Sequence, residues 1–266
     1  MKIADCRLQT GRKAGNGGVV GVIPARWGST RLPGKSLVAI GGKPLIQRVV
    51  ENARRARRLD RLLVATDDRR ILDVVLGLGV EAVMTRADHA SGTDRIAEAV
   101  RRVPAAVVIN IQGDEPLIDP RLIDRLAQIM LKEADWDVAT AAAPIERAAE
   151  WNLPSLVKVV FDRAGRALYF SRAAIPFVRN ADAAQGRELH WGHVGIYAYR
   201  RAFLARFVRT APSLLERVEG LEQLRALDLG ARIAVLKTKA RGRGVDTPAD
   251  VKYVEAVLRR EGAAGR

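Results

Sequence analysis

From Val19 onward, short apolar runs alternate with amphipathic stretches. Residues 19–23, 62–65, 80–84, 107–111 and 138–141 are short, predominantly apolar runs rich in Val, Ile, Leu and Ala, which read as buried strands of a parallel sheet. Between them, 44–57, 69–77, 93–102 and 120–133 carry helical spacing, with Pro44 and Pro120 at helix-starting positions. Strands that alternate with helices of this length predict an α/β protein with a doubly wound, mostly parallel sheet. After Pro144 the rhythm changes. Strands are expected at 156–161, 167–170 and 194–199, separated by Gly165 and a polar stretch at 180–188. Helices follow at 202–209 and 215–227, then a strand at 233–236 and a last helix from Thr247-Pro248. The expected organisation is a single domain over 19–262 with a small inserted lobe at about 145–200, which could also carry a dimer contact. Residues 1–18, with Gly11, Gly15, Gly17 and Gly18, read as a flexible extension.

Composition narrows the class. Among 266 residues, 48% hydrophobic and 28% charged exclude wholesale disorder. No apolar run approaches the ~20 residues of a membrane-spanning helix, so membrane insertion is not expected. The single cysteine, Cys6, cannot form an internal disulfide, and no Cys/His cluster has zinc spacing. The start of the chain lacks the apolar core of a signal peptide, which predicts a cytoplasmic protein. The net charge of +15 fits either a nucleic-acid binder or a protein with solvated basic helix faces that works on anionic substrates. The basic residues are not gathered in one tail. Arg54, Arg55, Arg57, Arg58 and Arg61 cluster at one predicted helix end, where cations offset the dipole. Aromatics are 5% and no RNA-recognition signature is present, so no nucleic-acid partner is expected.

The first strand runs into Pro24-Ala25-Arg26-Trp27-Gly28-Ser29-Thr30-Arg31-Leu32-Pro33-Gly34-Lys35-Ser36. A loop in this position is where ligands bind in parallel sheets, and its cations, glycines and hydroxyls are phosphate-binding chemistry. It is not a Walker A loop. Five residues rather than four separate Gly28 from Gly34, and Pro33 removes a backbone donor where a Walker loop aims its amides. A strand followed by a Pro-Ala-Arg start and an Arg-Leu-Pro-Gly-Lys end instead looks like the signature loop of sugar nucleotidyltransferases.

The apolar run at 107–111 leads to Gln112-Gly113-Asp114-Glu115-Pro116, placing a carboxylate on the same crevice as the loop. Far along the chain, Gly242-Arg243-Gly244-Val245-Asp246-Thr247-Pro248 sets a second aspartate before a helix start. Asp246 taken alone reads as a favourable acid at a helix N-terminus. Taken with Asp114 and a triphosphate loop, it reads as half of a Mg²⁺ pair, since Mg²⁺ is held by one or two carboxylates plus substrate phosphates. Glu115, before a proline, reads as structural.

Further blocks extend the pattern: Met84–His89, Ser91-Gly92-Thr93-Asp94-Arg95, Tyr169-Phe170-Ser171-Arg172, His193-Val194-Gly195-Ile196-Tyr197 and Leu221-Glu222-Gln223-Leu224-Arg225. Together, in this order, they resemble the 3-deoxy-manno-octulosonate (Kdo) cytidylyltransferases from Val19 to about Leu258. The resemblance implies a Rossmann-like fold of the nucleotide-diphospho-sugar transferase type. It also implies CTP and Kdo as substrates, Mg²⁺ as cofactor, a role in lipopolysaccharide synthesis and a homodimer. By the same resemblance Ala25, Arg26, Lys35, Arg86, Ser91 and Gly92 would hold CTP, and Asp114 and Asp246 would bind Mg²⁺. Arg26, Lys35, Asp114 and Asp246 would form the catalytic set. Arg31, Gln112, Arg172, His193, Tyr197, Glu222 and Gln223 would surround the sugar acid, whose carboxylate suits arginine and whose hydroxyls suit Gln, Glu, Tyr and His. Rival readings are a cytidylyltransferase for sialic acid or for an 8-amino Kdo analogue. His89 as a local cap, His193 as a core histidine, and Glu222 and Gln223 on a solvated helix face are the bland alternatives. Three features depart from the family: the leader, Ser36 where proline is expected, and the strongly basic charge.

Overall fold

The most apolar run of the chain forms β1 (Val19–Ala25), buried at all but one position. The computed structural model describes residues 17–29, 31–180, 182, 188–239 and 242–264. Most of the expected glycine-rich extension, with Cys6, lies outside the described residues, as does Thr30 of the loop. The chain divides into two compact units, residues 1–127 with 242–266, and residues 128–241.

In the first unit a 3₁₀ turn (Lys35–Leu37) and a two-stranded ribbon, β2 (Ala39–Ile40) and β3 (Lys43–Pro44), follow β1. They lead into α1 (Leu45–Ala53), β4 (Arg61–Thr66), α2 (Arg69–Gly77), β5 (Glu81–Met84), α3 (Gly92–Ala99) and β6 (Val107–Asn110), and then α4 (Pro120–Lys132), which begins in this unit and ends in the second. The strands lie in the order β6-β1-β4-β5, every pair parallel. Asp68 caps α2 by accepting from Arg70 N at 2.9 Å, and Ser91 caps α3 by accepting from Asp94 N at 3.2 Å. α1 stops at Ala53, short of the expected position 57. Arg54, exposed directly after α1, also donates its guanidinium to Leu78 O at 2.9 Å and Gly79 O at 2.6 Å, capping the end of α2. Arg61 begins β4 and pairs with Glu81 on the neighbouring strand at 2.5 Å.

The second unit is mixed. It holds β7 (Val138–Pro144), α5 (Ala148–Trp151), β8 (Lys158–Phe161), β9 (Ala167–Ser171), β10 (Trp191–Arg200), α6 (Arg201–Phe207), α7 (Leu214–Glu219), α8 (Gln223–Asp228) and β11 (Ile233–Lys237). β7 pairs with β11 in parallel and with β10 antiparallel, while β8 and β9 form an antiparallel hairpin. The lobe expected at 145–200 is therefore no separable insertion, because β10 is hydrogen-bonded along β7 and belongs to a larger unit. The helix expected at 215–227 is broken by Gly220, whose left-handed φ of 62° ends α7 and is costly for any residue with a Cβ. The chain then returns to the first unit, where α9 (Pro248–Ala264) closes it.

Candidate active site

β1 ends at Ala25, paired with Thr66 at the end of β4, and Val22 pairs with Asn110 at the end of β6. The segments after all three strands thus emerge at the carboxyl edge of one parallel sheet, where ligands bind. Ala25 is buried, whereas Arg26 and Arg31 stand exposed on the loop. Gly34 takes a left-handed φ of 65° and turns the loop back. Ser36, at the position where proline was expected, is buried and its Oγ donates to Arg26 O at 3.4 Å, tying the two ends of the loop together.

Asp114 reaches this edge because Gly113 precedes it. A Cβ on Gly113 would collide with the Pro24 carbonyl oxygen of β1. Asp246 arrives from the far end of the sequence. Val245 N donates to Asp114 O at 2.8 Å, and a Cβ on Gly242 would collide with the Glu115 carboxylate. The N-terminus of α9 does not use Asp246 as its cap. Asp250 Oδ2 accepts from Thr247 N at 2.9 Å and Thr247 Oγ1 at 2.8 Å, which leaves the Asp246 side chain to the site.

Lys35 Nζ lies between the two acids, 2.6 Å from Asp114 Oδ2 and 3.0 Å from Asp246 Oδ1, and Arg31 Nη2 is 3.0 Å from Asp246 Oδ2. Burial pulls the Lys35 pKa down, but the charge of Asp114 and hydrogen bonds to both acids more than offset it, so the net direction is up. The ammonium shows that one cation can be shared by both carboxylates. They are 30% and 33% exposed, leaving them open to further oxygen ligands. Two hard, part-exposed oxygen donors beside a cationic phosphate loop fit Mg²⁺ held jointly with phosphates. Among the described residues no group of three or more His, Cys, Asp or Glu forms a complete metal cage. Glu115 carries a signal that the sequence did not reveal: burial, then the charge of Asp114, pushes its pKa up to about 7.

The 86–92 segment follows β5 onto α3. Glu98 gathers it, with Oε2 accepting from Arg86 N at 3.3 Å and closely contacting His89 Nε2. His89 therefore pairs with a carboxylate rather than capping local backbone. Ser91 spends its hydroxyl on the α3 cap, and Gly92 brings the segment to β1, where a Cβ would touch the Pro24 ring at 3.6 Å. Gln112 lies after β6 and donates to Asn110 Oδ1 at 3.3 Å.

The remaining candidates belong to the second unit. His193 and Tyr197 share one face of β10, their rings 5.3 Å apart. His193 Nε2 meets Thr140 Oγ1 at 2.9 Å, and burial lowers its pKa to about 3. Burial, aided by the neighbouring Tyr199 and Glu222, raises that of Tyr197. Gln223, for which a solvated helix face was the bland alternative to a sugar contact, is buried at the start of α8, and Glu222 directly precedes it. Arg172 is engaged within its own unit. Its guanidinium donates to Glu219 O at 2.7 Å, Pro154 O at 3.0 Å and Gly220 O at 3.3 Å. Beside it Lys158, fully buried, donates to Leu153 O, Leu156 O and Arg172 O. Nothing in the local sequence distinguishes Lys158 from a surface lysine.

The parallel sheet, the loop closed by Ser36 and the acid pair define a class, which comparison makes explicit. The cytidylyltransferase family model matches residues 20–233. The protein from Syntrophobacter fumaroxidans named 3-deoxy-manno-octulosonate cytidylyltransferase is 52% identical over 243 residues, 90% of this chain and 96% of the relative. One of the same name from Syntrophotalea carbinolica is 48% identical over 91% of this chain and 98% of its own. A solved structure of CMP:2-keto-3-deoxy-manno-octonic acid synthetase complexed with CTP superposes with a TM-score of 0.87 at 46% identity, covering 92% of this chain and 99% of that one. The fold alone extends further, to a 4-diphosphocytidyl-2C-methyl-D-erythritol synthase from Anaerococcus prevotii at 12% identity and TM-score 0.62. The chain belongs to the 3-deoxy-manno-octulosonate cytidylyltransferase family.

Proposed function

We propose that this chain activates Kdo with CTP, forming CMP-Kdo and pyrophosphate for lipopolysaccharide synthesis. The observation that carries the reading is the loop of β1 closing, through Lys35, on the Asp114–Asp246 pair, in a chain 45–52% identical to named relatives over about nine-tenths of its length. The anomeric hydroxyl of Kdo attacks the α-phosphorus of CTP in line. An oxygen–phosphorus bond forms, the bond to the bridging oxygen of the β-phosphate breaks, pyrophosphate leaves with that electron pair and the hydroxyl proton passes to water.

The protein acts by positioning and charge neutralisation, as in phosphoryl transfer generally. Arg26 and Lys35 bind the triphosphate, and Arg86, Ser91 and Gly92 line the nucleoside side. Asp114 and Asp246 would hold Mg²⁺, which would supply neutralisation of phosphate charge. Arg31, Gln112, His193, Tyr197, Glu222 and Gln223 orient the sugar acid. Arg172 serves the same end through the backbone turns that it ties together. Among the described residues no helix is long and apolar enough to cross a membrane. The homodimer follows from the resemblance alone.

Pyrophosphate release with CTP against a panel of sugar acids tests the reading. The expected result is turnover with Kdo well above that with sialic acid or the 8-amino analogue. Preference for another acid, or no release from CTP at all, would replace it.

A further inference from the structure

We propose that Asp67 and Arg95 are positioning residues that lock the phosphate loop and the Arg86 segment into one nucleotide-binding edge. The proposal rests on the reading that Arg26, Lys35 and Arg86 contact CTP, but neither Asp67 nor Arg95 is itself among those contacts. Both point inward, with side chains 12% and 4% exposed, and Arg95 Nη2 donates to Asp67 Oδ2 at 2.8 Å. The other Asp67 oxygen accepts from Trp27 N at 3.1 Å. The other guanidinium arm, Arg95 Nη1, donates to Thr85 Oγ1 at 2.6 Å and to Arg86 O at 3.2 Å. Thr85 is in turn anchored to Thr66 O at the end of β4, by its N at 2.8 Å and its Oγ1 at 3.1 Å.

The connected path is Trp27 backbone, Asp67, Arg95, Arg86 backbone. One end is the residue directly after Arg26, and the other is the carbonyl of Arg86 itself. Trp27 carries the constraint across the loop. Its indole lies against Gly34, where a Cβ would approach the ring to 3.0 Å, and holds the Arg70 guanidinium 3.3 Å above it. A shift of the Trp27 amide therefore moves Arg26 on one side and Gly34-Lys35 on the other. A buried ion pair is a weak device for stability alone, since well-packed apolar side chains usually serve as well. A planar guanidinium with donors in fixed directions is a strong device for setting geometry.

The test measures CTP binding by titration calorimetry and KM for each substrate in Asp67→Asn and Arg95→Lys. Both keep side-chain volume, but each loses part of the fork. CTP binding should weaken about tenfold or more, the range for a lost charge-assisted hydrogen bond, with KM for Kdo within about twofold of wild type. The decisive readout is coupling to Arg26→Ala. If Asp67 positions Arg26, that substitution should weaken CTP binding several-fold less in the Asp67→Asn background than in wild type. Additive losses, or full CTP affinity in Arg95→Lys, would overturn the proposal. If either variant fails to fold, Thr85→Val removes one acceptor at nearly constant volume and carries the same cycle with a smaller effect. Calorimetry needs CTP only. A wild-type protein that binds CTP, shows the coupling and fails to use Kdo would refute the substrate reading and leave this proposal intact.

Discussion

Asp114, from the middle of the chain, and Asp246, from near its end, are brought together through Lys35, and their value lies in charge rather than packing. Asp114→Asn and Asp246→Asn should each lower turnover by roughly a hundredfold or more, since a lost metal contact removes a few kcal/mol of transition-state stabilisation. Circular dichroism should report an unchanged fold, and near wild-type turnover at modest Mg²⁺ would contradict the assignment. His193 yields a prediction of another kind. Its folded pKa of about 3 lies below the ordinary 6.5, so the unfolded chain binds the proton more readily. Its contribution to stability is therefore full above about pH 6.5 and is lost as pH falls towards 3. The integrated effect is on the order of a few kcal/mol. Urea melts of His193→Gln between pH 7 and 4 should show a flatter loss of stability than wild type, and parallel curves would refute the burial argument.

At the scale of elements, the site depends on how closely β6 and β1 approach beyond their last paired residues. Gly113 sits where any side chain meets the Pro24 carbonyl, which backbone rigidity prevents from yielding. Gly113→Ala should destabilise the protein by about 1–3 kcal/mol, as overpacking does, and should displace Asp114 along with it. Thermal melting and turnover should fall together. A stable, fully active variant would show that the strand ends adjust freely. The same logic explains the divided helix at Gly220, where a left-handed residue sets the start of α8, and so the placement of Glu222 and Gln223.

At the scale of the whole molecule, the candidates for the two substrates are unequally distributed. Every CTP candidate belongs to the first unit, while most of the sugar-acid candidates belong to the second. Lys35→Ala should therefore raise the CTP requirement sharply, and Gln223→Ala should raise KM for Kdo at unchanged KM for CTP. Steady-state kinetics with each substrate varied in turn checks the division, and equal effects on both substrates from either variant would deny it. Arg172→Ala carries a second consequence because its guanidinium is spread over three backbone carbonyls. Loss of those bonds should cost about 1–3 kcal/mol, so a lower melting temperature should accompany weaker use of Kdo. Weaker use at an unchanged melting temperature would separate the two roles.

Much of this protein is written locally. The apolar runs specified the parallel strands of the first unit, the 69–77 spacing specified α2 to the residue, and the Pro24-to-Lys35 pattern marked the phosphate loop, because periodicity, proline and glycine act over a few residues. What the tertiary structure decided are pairings between distant residues: Trp27 with Asp67 at a separation of 40, Lys35 with Asp114 at 79, and Lys35 with Asp246 at 211. The same holds for the burial of Lys158 and for the carbonyls that take up Arg172. A side chain's chemistry is set by its own atoms, but its desolvation and its partners are set by segments that only the fold brings near. For that reason Arg95 is legible within the Ser91-to-Arg95 block, while Asp67, the half-buried partner that gives it a task, comes near only when the end of β4 packs against α3.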